Sequence, residues 1–136
     1  MKLFNKSSKK KYIKLPSGGE LELDYAIKCA TELRESEWES KKYKFGKSLN
    51  DKNGGTSRLY VGQTYDPTKV NLIENGWTHD HCEICQSTIS EGDSDSDYET
   101  EGYSSNFDWI CKNCYSNFIE PVDLNTGIKK LNIIEK

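Results

Sequence analysis

Long apolar runs are missing from this 136-residue chain. None approaches the ~18 residues that a spanning helix requires. The opening MKLFNKSSKKKYIK is basic but lacks the apolar block of a secretory signal, so the cytoplasm is the expected compartment. Apolar residues are scarce throughout, at 34% against the ~45–50% of a typical domain (a set that also counts glycine), and only a modest core is expected. Basic residues are scarce in one place. Between residues 78 and 120, ten acids face the single Lys112, a net charge of −9 that repels a polyanion. The first fourteen residues are the opposite, with Lys2, Lys6, Lys9, Lys10, Lys11 and Lys14 and no acid. No Gly-x-x-x-x-Gly-Lys-Ser/Thr spacing occurs, so Gly54-Gly55-Thr56-Ser57 reads as a hairpin tip rather than a phosphate loop. Ser, Asp and His are all present, but no motif joins them into a nucleophilic triad.

Cysteine is also sparse, with five in all, but four form two Cys-x-x-Cys pairs: Cys82 with Cys85, and Cys111 with Cys114. Twenty-five residues separate the pairs. Each pair curls the backbone round one side of a metal, and two pairs supply the four thiolates of a tetrahedral Zn²⁺ site. In a reducing compartment such pairs point to metal rather than to disulfides. Four thiolates leave no open position for water, so the expected zinc is structural and the protein is not expected to be an enzyme. A metal would help a core this small, because its binding free energy adds to folding free energy. His79 and His81 stand directly before the first pair. They read as a polar turn leading into it, with replacement of a cysteine or second-layer support of a ligand as alternatives.

The rest of the chain reads as one α+β domain over 1–136: a basic flexible tail over 1–11, an α+β part over 12–75, the metal module over 76–120 and a tail over 121–136. Tyr12 to Leu15 is a predicted strand ended by Pro16, and Ser17 to Glu20 fits a capping box. Leu23, Ala26, Ile27, Ala30, Leu33 and Trp38 fall on one face at helical spacing. Cys29 within that helix reads as a small buried hydrophobe rather than a fifth ligand. Tyr43–Phe45 and Arg58–Val61 are predicted strands flanking a loop with the turn pair Asn53-Gly54. Val70, Leu72 and Ile73 supply apolar contact, and Gly76 is expected to close that element. In the metal module, Cys82–Cys85 forms a tight knuckle. Gln86–Ile89 is expected to start a hairpin that returns over Tyr103–Ile110, and Cys114 to open a helix over Asn113–Ile119. Pro121 stops that helix, and the stretch from Ile128 to Ile134 carries enough apolar residues to dock as a strand or a short helix.

Through Cys82-x-x-Cys85 and Trp109-Ile110-Cys111-x-x-Cys114-Tyr115-x-x-Phe118, segment 76–120 resembles treble-clef and zinc-ribbon-like zinc fingers. With His-Asp-His-Cys-Glu-x-Cys and Trp-x-Cys-x-x-Cys, it is also similar to the cysteine-rich ends of small uncharacterised bacterial proteins. The resemblance covers about a third of the chain and implies a fold for that third. Some treble clefs are nucleases with a His-Asn-His constellation, which needs a histidine in the helix; none follows His81.

Between the pairs lies an acidic segment, 91–101, with Asp93, Asp95 and Asp97 alternating as in a calcium loop but without the required Gly and Glu offsets. It reads as a solvated loop or as a protein-binding patch imitating nucleic-acid charge. The expected function is a zinc-held surface for a protein partner, of an immunity or inhibitor type. The alternative is a nucleic-acid-binding zinc finger using the Lys-rich N-terminus, with Tyr103, Trp109 and Tyr115 as stacking groups.

Overall fold

Two short strands, β1 (Lys11–Lys14) and β2 (Glu20–Glu22), open the computed structural model, which describes residues 9–91 and 98–136. Lys11 therefore belongs to a strand rather than to a tail, and residues 1–8 lie outside the described residues. Ser17 and Glu20 do not cap a helix, because the chain reverses at Leu15–Gly19 and then continues as β2.

Helix α1 (Leu23–Leu33) buries Leu23, Ala26 and Ala30, the predicted apolar stripe. It stops short of Trp38. Arg34 turns its side chain onto another element, and the Trp38 indole N–H donates to the Leu33 carbonyl at 2.8 Å, closing the helix end. β3 (Glu39–Lys42) follows. Tyr43–Phe45, predicted as a strand, is instead a connector, and β4 (Gly46–Asp51) pairs with β5 (Ser57–Leu59) around the expected loop. β6 (Val70–Trp77) pairs with the other edge of β4. Gly76 does not end that strand but lies within it, and glycine is required there because a Cβ would collide with Ser48 Oγ.

The second half departs from the expected hairpin. β7 (His79–His81) pairs with β8 (Thr88–Ser90), so the knuckle is the turn of its own short hairpin. β9 (Glu101–Ser105) instead pairs with β10 (Asp108–Ile110) and with β3. The cause is the two-residue turn Asn106-Phe107, with φ of 48° and 73°. Two successive positive φ angles match the twist of a tight hairpin, a place where glycine is usual and phenylalanine hides the signal. Helix α2 (Lys112–Cys114) runs into a π-helical turn over Tyr115–Ile119, α3 (Leu124–Ile128) packs beneath it, and β11 (Ile133–Glu135) docks antiparallel on β1.

A single cluster joins the halves. Ile13, Leu23, Ala26, Ala30 and Tyr43 pack with Ile84, Ile89, Ile110, Phe118 and three of the paired cysteines. Ile84, Ile89 and Ile110 are fully buried, each worth ~1.5–3 kcal/mol of apolar transfer. Among the described residues, no helix is long and apolar enough to cross a membrane.

Candidate metal centre

Two local structures aim the four sulfurs at one point. In the first, the Gln86 amide donates to the Cys82 carbonyl at 2.9 Å, Gln86 adopts a φ of 65°, and the Ile84 amide points at Cys82 Sγ from 3.4 Å. In the second, Cys111 caps α2, with the Cys114 amide 3.4 Å from its sulfur. The Glu83 amide donates to the Trp109 carbonyl at 2.9 Å, which locks the knuckle against β10 and so against Cys111.

Cys82, Cys85, Cys111 and Cys114 thereby bring their sulfurs within 4.8 Å of one another. The Cys85–Cys111 separation is 3.7 Å. A tetrahedron with ~2.3 Å metal–sulfur bonds has edges of ~3.8 Å, so this spacing fits one metal ion at the centre. It is far too long for the ~2.05 Å of a disulfide, and all five cysteines are free. An all-sulfur set suits a soft ion such as zinc and disfavours calcium or magnesium.

The four thiols shift one another in opposite directions. Cys85 is held far below the ordinary thiol range, chiefly by hydrogen bonds from Cys111 and Cys114 and also by the Ser87 hydroxyl 3.1 Å away. Cys111 is lowered to about 7, first by its hydrogen bond with Cys114. Cys82 and Cys114 are pushed up, the former by Cys111 and the latter by Cys111, Cys82 and Cys85, with burial adding to both. Four packed thiolates cannot coexist without a cation to offset their repulsion.

No protein-family model, curated protein or solved structure matches this chain. Its site is read from its own geometry.

The histidines stand outside the sulfur cluster. His79 and His81 are exposed on β7, their rings edge to face at 5.0 Å. His81 Nδ1 lies 3.2 Å from the Gln86 carbonyl, a brace on the end of the knuckle. Cys29, expected to be buried, is half-buried on α1 and lies apart from the four sulfurs. Tyr103 and Tyr115, expected as stacking groups for bases, stack on each other at 3.6 Å and 8°. Trp109 packs against Tyr43 at 5.1 Å.

Residues that spacing did not single out build a second polar centre beside the first. Asp80 Oδ2 accepts from the Tyr43 hydroxyl at 3.0 Å and from the Trp77 indole at 3.1 Å. Burial, then the charge of Asp80, holds the Tyr43 hydroxyl protonated well above its usual range. Partial burial, then neighbouring carboxylates that include Asp80, raises Glu83 and Asp108. Both ends of the acidic segment are fastened to the same connector. The Phe45 amide donates to Glu91 Oε1 at 2.8 Å and the Tyr43 amide to the Thr100 carbonyl at 2.9 Å. Residues 92–97, with Asp93, Asp95 and Asp97, lie outside the described residues.

Proposed function

We propose that this is a non-enzymatic zinc protein of the cytoplasm, whose metal fixes a surface for a basic protein partner. Zinc held by Cys82, Cys85, Cys111 and Cys114 is structural in this reading: four sulfurs fill its coordination, and a closed site activates no water. The order of knuckle, β9–β10 hairpin and helix opening on the second cysteine pair supports a treble-clef-like module. The observation that carries the partner assignment is the double anchoring of segment 91–101 on Tyr43–Phe45. Glu91 and Thr100, near the two ends of a segment with six acids in eleven residues, are thereby held on one connector. A concentrated negative patch steers and selects a positively charged protein surface. Small size and acid surplus suit an immunity- or inhibitor-type protein that covers such a surface.

The test is affinity capture from lysate with the intact protein and with a variant carrying Asp93→Asn, Asp95→Asn, Asp97→Asn and Glu99→Gln. Both samples are matched for zinc content and melting temperature. The intact protein is expected to retain basic proteins that the variant releases. Equal recovery from both would remove the acidic segment from the interaction.

A further inference from the structure

A groove of about 270 Å³ with no cysteine in its lining opens between the end of β5 and the β9–β10 turn. Its lining is unusual for so polar a chain. Tyr43, Tyr60, Trp77, Trp109 and Phe107 contribute aromatic rings, and Asp80 contributes a carboxylate. Two apolar side chains stand at its mouth in water, Phe107 at 63% exposure and Val61 at 50%. Phe107 is also in the left-handed region, at the turn position where glycine is unstrained. A bulky residue held there costs stability and stays mostly exposed.

Charge decides what the groove would take. Asp80 accepts two hydrogen bonds from neutral donors, and no lysine or arginine pairs with it among the described residues. The two lysines of the lining are engaged elsewhere, Lys41 with Glu39 at 3.6 Å and Lys44 with Glu91 at 3.7 Å. Asp80 is therefore a carboxylate without a direct cationic partner, set among aromatic rings, and a planar cation satisfies both features at once. Guanidinium stacks on aromatic rings and pairs with a carboxylate through its fork of N–H donors.

We propose that this groove receives an arginine side chain of the protein partner. The occupant rests on the partner reading above, because the groove floor, Tyr43, belongs to the connector that roots the acidic segment. The acidic segment then attracts the basic surface, and the groove anchors one residue of it.

The full chain, loaded with zinc and labelled with ¹⁵N, is titrated with N-acetyl-arginine amide and followed at the Trp77 and Trp109 indole N–H signals. N-acetyl-citrulline amide, of the same shape without the charge, and adenosine 5′-monophosphate are the comparisons. Saturable shifts at both indoles are expected with arginine, at millimolar probe, and none with citrulline. Asp80→Asn should weaken the arginine probe about tenfold, as loss of a charge-assisted hydrogen bond does. Phe107→Gly supplies a readout independent of folding damage: it should melt higher than the parent and yet bind the probe more weakly. Equal response to citrulline, preference for the nucleotide, or undiminished binding by Phe107→Gly would each overturn the proposal. The probe is a single side chain, so the variant lacking the acids of 93–99 should bind it normally while losing the partner. That pattern separates failure of the groove from failure of the acidic segment.

Discussion

Arg34 ties the end of α1 to the far end of the metal module, and its removal is the most quantifiable perturbation of this fold. Its guanidinium donates to four carbonyls: Phe118 at 2.7 Å, Ile119 at 3.1 Å, Pro121 at 2.9 Å and Val122 at 3.0 Å. The Phe118 and Ile119 carbonyls lack helical partners because the π-turn ends at Ile119, and residues 122 and 123, whose amides would reach them, no longer follow the helix. A carbonyl left without a donor costs ~1–3 kcal/mol where water is excluded and much less where it enters. Counting that penalty for the Phe118 and Ile119 carbonyls, and little for the more open pair, Arg34→Ala should lose about 3 kcal/mol. At this chain length the melting temperature should fall by roughly 10 °C. Arg34→Lys keeps the charge but not the fork, and should recover less than half of the loss. Urea unfolding of the zinc-loaded protein, followed by tryptophan fluorescence, measures both. An Arg34→Ala variant within about 0.5 kcal/mol of the parent, the range of ordinary surface changes, would refute the reasoning. So would a lysine variant as stable as the parent.

Metal removal should be more severe. Structural zinc contributes on the order of 10 kcal/mol or more, comparable to the whole stability of a small domain. Chelation, or Cys111→Ser, should unfold at least residues 76–120 by circular dichroism, and unchanged melting on full loss of zinc would contradict the structural role. Gly127→Ala should destabilise by about 3 kcal/mol despite alanine's better helix propensity, since its Cβ would collide with the Asn117 carbonyl; thermal melting decides the sign. Asp123 caps α3 by accepting from the Thr126 amide at 2.8 Å, and that bond, with the Thr126 hydroxyl, lowers its carboxyl below the usual range. Its contribution is therefore present above the ordinary carboxylate value of ~3.9 and lost as pH falls through the lower folded value. Melting of Asp123→Asn, which keeps a cap but cannot titrate, should depend less on pH below about 5 than melting of the parent.

The sulfur cluster was legible in the chain because a Cys-x-x-Cys turn is local: each pair needs only its own backbone to present both thiols. The stripe of Leu23, Ala26 and Ala30 was legible for the same reason. Strand partners were not. β9 satisfies its backbone on one side with β3, some sixty residues earlier, and no local pattern distinguishes that edge from the expected return to residues 86–89. The turn that decides the matter carries Phe107 where a reader looks for glycine. Arg34 carries no local signal of its role, since its four acceptors lie more than eighty residues away. Asp80 was hidden in the same way, beside histidines that draw attention in any metal-binding sequence.

One pairing has a mechanical consequence. Lys10 and Lys136 exchange backbone hydrogen bonds at 3.1 and 2.9 Å, and β1 and β11 continue antiparallel from there. A load applied at these two positions therefore falls on one rung of the ladder at a time rather than on all rungs together. The strands would peel like a zipper at low force, releasing β11 and then α3 before the load reached the four-sulfur cluster. Tethered by its ends, this protein should yield in two stages, a soft one at the sheet and a hard one at the metal.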